Sequence, residues 1–153
     1  MNSQTKSKSG FTIIEVVLVL AIAGLIFLIV FLAVPALQRS QRDTARKNDL
    51  GRLVAAVQSY QSNNQGKLPS DLGGTGSSAI LGTNYVGTFA DPSGGNYTFA
   101  ATTDPTTATP NTPTSPYVIN YKVGVDCNNA SKGSRTVAVL IGLEGGGNYC
   151  QTN

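Results

Sequence analysis

The chain has no histidine and no tryptophan, one methionine, two cysteines, and only 12% charged residues. Without imidazole it lacks the side chain that titrates near neutrality and the commonest nitrogen ligand of metals. Ser-His and Cys-His nucleophile pairs are thereby excluded, and too few ligands remain for zinc. A serine nucleophile would need a lysine base, and no motif places Lys67, Lys122 or Lys132 beside one. Asp91, Asp104 and Asp126 could each offer oxygen to calcium, yet none sits in a recognisable calcium loop. Gly73, Gly74 and Gly76 lack the Lys-Ser/Thr of a phosphate loop and the preceding strand of a dinucleotide fingerprint, so they read as turn chemistry. No enzymatic activity, cofactor or metal is therefore expected. Charge of one sign is also scarce: from Gly66 onward four basic residues face five acidic ones. The bulk surface then offers no basic field for phosphate contacts, and bulk nucleic-acid binding is not expected.

What the chain does have is one long apolar run. Val16 to Val34 is 19 residues without a charge or a polar side chain. As a helix it would cover roughly 28 Å, about one hydrocarbon core. A soluble core helix is rarely apolar on every face for so long, and a secretory leader is shorter and ends in a small-residue cleavage site. The run is read as a membrane span. Glu15 lies just inside it, where an unpaired charge costs on the order of 3 kcal/mol. No Lys or Arg lies within a helical turn, so its partner is expected to be a chain terminus, another subunit or interfacial water. The plainer alternative is a helix-start carboxylate at headgroup level, favoured by the macrodipole.

Lys6, Lys8, Gly10, Phe11, Thr12 and Glu15, followed by the uninterrupted apolar run, resemble the signature of type IV pilins and type II secretion pseudopilins. The resemblance implies a class III prepilin leader, residues 1–10, cut by prepilin peptidase between Gly10 and Phe11, with N-methylation of Phe11. It further implies that Glu15 pairs with the freed amine of Phe11 on a neighbouring subunit during assembly. In a low-dielectric layer such a pair attracts far more strongly than in water and can fix the register between subunits. Many family members carry a proline where this chain has Leu32; here it stands three residues later, at Pro35.

The helix is expected to run from Thr12 to about residue 63, with 11–35 as transmembrane segment and filament core and 36–65 amphipathic. Gly24 and Pro35 are its breakers, and a kink is expected near Phe31 to Pro35. Beyond the proline, Arg39 with Asp43, Asp43 with Lys47, and Asp49 with Arg52 read as solvated helix-face pairs. Leu50, Leu53, Val54, Val57 and Tyr60 or Gln61 form one apolar stripe. Asn63, Asn64 and Gly66 tolerate left-handed geometry and end the helix, with Pro69 preventing its resumption. The positive-inside rule gives a conflict, because Lys6 and Lys8 on one flank face Arg39, Arg42, Arg46, Lys47 and Arg52 on the other. The cysteines and the leader resemblance outweigh it and place the C-terminal part outside.

Residues 66–153 are expected to form a small β head. Residues 66–95 read as an irregular connector with a short helix at 78–82, and Asp91 to Tyr97 as a turn entering a strand. Strands are expected at 97–101, 117–126 and 135–142, the last two by alternation, joined in an antiparallel sheet covering the stripe at 50–57. The Thr- and Pro-rich stretch 102–116 reads as an exposed loop. Glu144 to Asn148 is a Gly-rich turn. Cys127 and Cys150, an even pair in the outer part, read as a disulfide closing about 24 residues, the alternative being two buried thiols. It resembles the disulfide-bounded region of pilin heads.

The fold expected is thus α+β: a pilin-like ladle with a long N-terminal helix, transmembrane in its first half, packed on a small antiparallel sheet. The function expected is that of a type IV pilus subunit polymerising with itself into a helical homopolymer for adhesion, motility or DNA uptake. Its partners would be prepilin peptidase, the pilus assembly machinery and, before assembly, membrane lipid. It would begin as a single-pass cytoplasmic membrane protein and end in an extracellular pilus. Within the family the alternative is a pseudopilin of a type II secretion-like system or a minor pilin; outside it, a monomeric signal-anchored surface binding protein.

Overall fold

A computed structural model of the 153-residue chain describes residues 10–69, 86, 89–106 and 117–153. The leader lysines, the glycines at 73–76, the short helix expected at 78–82 and residues 107–116 of the Thr/Pro stretch lie outside the described residues. The element order is α1 (Ile13–Asn63), β1 (Thr98–Ala101), β2 (Val118–Val123), β3 (Val137–Gly142) and β4 (Asn148–Thr152). The chain divides into two compact units, Met1–Gln38 and Arg39–Asn153.

In the first unit α1 is a bare apolar helix. Its mean hydropathy reaches 3.3 over an 18-residue window, and by length and composition it can cross a membrane. Nineteen large apolar side chains from Phe11 to Leu37 are between 42 and 90% exposed. At roughly 1.5–3 kcal/mol for each such side chain taken from water, this surface requires lipid or protein around it. Pro35 lies inside α1, which the helical assignment carries through it to Asn63.

In the second unit the buried residues of α1 are Asp43, Arg46, Leu50, Leu53, Val54, Ala56 and Val57. The five apolar ones pack against Tyr97, Tyr117, Ile119, Val137, Val139 and Ile141 to make the core. The helix ends as its residues dictate. Gln65 and Gly66 take φ of 57° and 77°, and the Gly66 N–H returns to the Gln61 carbonyl at 2.7 Å. A side chain at Gly66 would also meet the Arg135 guanidinium at 3.0 Å.

The sheet has the order β1-β2-β3-β4. β2 and β3 pair antiparallel, with Ile119 opposite Ile141 and Tyr121 opposite Val139, as the alternation predicts. Two features differ from expectation. β1 lies parallel to β2, with Phe99 opposite Ile119, so the sheet is mixed rather than antiparallel throughout. The long segment between them permits this, since a parallel pair needs a crossover where an antiparallel pair needs only a turn. The residues after the Gly-rich turn also form a full edge strand, with Cys150 opposite Leu140. Gly146 and Gly147, at φ of 95° and 82°, close that β3–β4 turn through Leu143 N–H to Gly147 O at 3.0 Å. β3 is consequently central and buried on all six residues. Pro105, expected on an exposed loop, is fully buried, and the nearby Thr103 carbonyl accepts from Lys122 Nζ at 2.8 Å.

Candidate functional site

The residues singled out by the sequence lie at the start of α1. Thr12 is the N-cap and Glu15 the third helical residue, an arrangement in which each side chain bonds the other's backbone. Glu15 Oε2 accepts from the Thr12 N–H at 2.8 Å and from Thr12 Oγ1 at 2.7 Å, while the Glu15 N–H donates to Thr12 Oγ1 at 3.4 Å. Glu15 therefore has a partner within its own chain besides the chain terminus, other subunit or water that were expected, and it sits as the helix-start carboxylate of the plainer alternative. The signal was present as Thr-x-x-Glu before an apolar run. Both bonds from Thr12 use Oε2, so Oε1 is open to a further donor. Phe11, Glu15, Val16, Val19 and Leu20 line one groove, in which this carboxylate is the one charged group among the described residues.

The second constellation, in the Arg39–Asn153 unit, corrects the reading of Asp43 as a solvated partner of Arg39 and Lys47. Arg46 is fully buried and stands at the centre of three carboxylates. Its Nε and Nη2 grip Asp91 at 2.7 and 3.0 Å, Nη2 also reaches Glu144 at 2.6 Å, and Nη1 reaches Asp43 at 3.0 Å. The guanidinium lies 3.9 Å from the centroid of the Tyr117 ring, whose hydroxyl donates to Glu144 at 2.9 Å. Arg42 adds a two-pronged contact to Glu144, its shortest arm 2.7 Å. Asp43 in turn accepts the N–H groups of Glu144 and Gly145 at 2.9 and 2.8 Å. A side chain at Gly145 would come within 3.1 Å of that carboxylate.

Hydrogen bonds from Arg42 hold the Glu144 carboxyl down to about 2, with Arg46 and Tyr117 adding to the effect against its burial. Burial opposes the Arg46 charge, but Asp91 and Glu144 outweigh it and hold its pKa above the ordinary value. For Tyr97, which donates to Asp49 at 3.0 Å, burial itself pushes the hydroxyl up and the Asp49 carboxylate adds to the effect. Arg52 pairs with Asp49 at 3.1 Å, as expected from their spacing. Arg42, Arg46 and Arg52, three of the five cations that conflict with the positive-inside rule, thus have carboxylate partners within the chain.

The aspartates considered for calcium have other work. Asp91 holds Arg46 and accepts the Ser93 N–H at 2.8 Å and the Ser93 hydroxyl. Asp104 accepts from Thr106, and Asp126 from the N–H groups of Asn128 and Ala130. Cys127 and Cys150 are joined as a disulfide, with Cα atoms 5.8 Å apart. It ties the segment after β2 to the edge strand β4.

Compared with known families, residues 5–31 match the prokaryotic N-terminal methylation motif. No curated protein and no solved structure matches the chain. A leader of this kind implies processing by prepilin peptidase and delivery to an assembly machinery, and with the apolar helix it fits a membrane-anchored precursor. Over residues 5–31, then, the chain carries the class III prepilin leader of the type IV pilin and pseudopilin family.

Proposed function

We propose that this protein is the structural subunit of a type IV pilus. Residues 1–10 are removed between Gly10 and Phe11, Phe11 is N-methylated, and the apolar part of α1 passes from lipid into the core of a helical homopolymer. The observation that carries this reading is the methylation motif at residues 5–31 leading into nineteen exposed large apolar side chains. Such a surface gains little from lipid over protein, so assembly needs a further source of specificity.

Glu15 supplies it. Oε2 is held by Thr12, which fixes the carboxylate at the helix start, and Oε1 receives the ammonium of Phe11 from the adjoining subunit. At about 4 Å and an effective dielectric of about 20, two such charges attract by roughly 4 kcal/mol before desolvation, enough to select one stagger among many apolar ones. The role is structural rather than catalytic. Gly24 and Pro35 are the positions at which the packed helix would yield, and residues 66–153 face outward from the cell surface.

The experiment is Glu15→Ala, with Glu15→Gln as the isosteric variant. Membrane insertion should persist while sheared surface filaments are lost or strongly reduced. Unchanged surface level and oligomeric state in both variants would overturn the proposal in favour of a solitary anchored protein.

A further inference from the structure

Within the Arg39–Asn153 unit, α1 meets its surroundings in two zones of different chemistry. Before Leu50 its only buried side chains are Asp43 and Arg46; afterwards they are Leu50, Leu53, Val54, Ala56 and Val57. The first zone is held by directed polar contacts. Arg42 and Arg46 reach Glu144, Arg46 reaches Asp91, and Asp43 takes two N–H groups of the 143–147 turn. The second is held by non-directional apolar burial. Apolar packing tolerates small displacements, whereas hydrogen bonds weaken steeply with angle and distance.

Two guanidiniums and three carboxylates share the first zone, and all but the Arg42 guanidinium, 32% exposed, are buried at the expense of their hydration. Losing one member removes charge-assisted bonds from partners that share it, which weakens the remaining contacts together. Its members also come from separate stretches of chain: Asp91 lies 45 residues from Arg46, and Glu144 lies 98. The two turns carrying them have their own internal closures, Asp91 N–H to Gly95 O at 2.8 Å and Leu143 N–H to Gly147 O at 3.0 Å. They can therefore leave the helix as intact turns.

We propose that Asp43, Arg42, Arg46, Asp91 and Glu144 form a latch that opens as one unit, releasing the 91–95 and 143–147 turns from α1 while the Leu50–Val57 core and the β2–β3 ladder stay closed. The start of this unit is then compliant without the sheet unfolding. The latch is read from the unit itself and does not depend on the filament proposal.

Hydrogen exchange on the full-length protein in detergent micelles, read by mass spectrometry, tests this. The N–H groups of Glu144 and Gly145 donate to Asp43 across the latch and report on it directly. Amides of residues 54–57, 119–122 and 138–141 report on the core. Glu144→Gln should accelerate exchange at Glu144 and Gly145 on the order of tenfold or more, with the core changed less than about twofold. Arg42→Gln, which leaves Arg46 with all its partners, should give a smaller acceleration at the same places, and it serves if Glu144→Gln fails to accumulate. Equal acceleration of turns and core would show one cooperative block and overturn the proposal. No acceleration in the turns would overturn it equally, since something else would then hold them.

Discussion

Replacing Arg46 by Met keeps most of the side-chain volume and removes the charge at the centre of the network. The side chain is 0% exposed and makes four hydrogen bonds to three carboxylates, at 2.6–3.0 Å. Bonds to charged groups taken singly at about 1.5–3 kcal/mol would sum to far more than the real loss, because the partners are not wholly abandoned. Glu144 keeps Arg42 and the Tyr117 hydroxyl, Asp43 keeps two backbone N–H groups, and Asp91 keeps Ser93. The expected cost is therefore that of breaking a buried ion pair, about 3–5 kcal/mol. Arg52→Met, at a side chain 50% exposed, should cost less than about 1 kcal/mol. Urea unfolding of the detergent-solubilised protein, followed by near-ultraviolet circular dichroism of the tyrosines, reports on this unit, since tryptophan is absent. With m near 1–1.5 kcal/mol per molar, the Arg46→Met midpoint should fall by roughly 2–4 M relative to Arg52→Met. Equal midpoints for the two variants would refute the argument that buried pairing of Arg46 holds this region.

Glu144 makes the same region acid-sensitive in a defined direction. Its carboxyl is held down to about 2, so its contribution is complete above its ordinary value of 4.5 and is lost as pH falls toward 2. With a side chain 7% exposed and an Arg42 partner 32% exposed, that contribution is on the order of 1–3 kcal/mol. Urea midpoints at pH 6 and pH 3 should differ accordingly, and Glu144→Gln should reduce the difference; an unaltered pH profile in that variant would contradict the assignment. Gly51→Ala should stabilise by about 0.5–1 kcal/mol, because Gly51 is inside α1 and a methyl there meets only Gln151 Oε1, at 3.7 Å. A lowered midpoint would show that the helix needs glycine there. Replacing Cys127 and Cys150 by Ser should cost about 2–4 kcal/mol in the same assay, and a loss below 1 kcal/mol would count against disulfide stapling of β4.

Local patterns made much of this fold legible. The apolar run, the stripe at Leu50 to Val57 and the alternation of β2 and β3 are set by neighbours a few residues apart, and composition reports them directly. β4 was hidden because Asn148 to Thr152 has no clear alternation and follows three glycines. The parallel pairing of β1 was hidden because strand direction depends on how a long connection closes, not on the residues of the strand. Asp43, read as a solvated partner of Arg39 and Lys47, is buried for a related reason: only the arrival of Asp91 and Glu144 from far along the chain makes burial of Arg46 beside it favourable. At the start of α1, Thr12 and Glu15 form a capping box legible as Thr-x-x-Glu, in which the carboxylate is held by hydrogen bonds rather than by an opposite charge.

The most direct test of the proposed function is mass spectrometry of the N-terminus of material sheared from the cell surface. A chain that begins at N-methylated Phe11 and is recovered as filaments is the predicted result. An intact chain still carrying Met1, recovered only from the membrane fraction as single molecules, would contradict it.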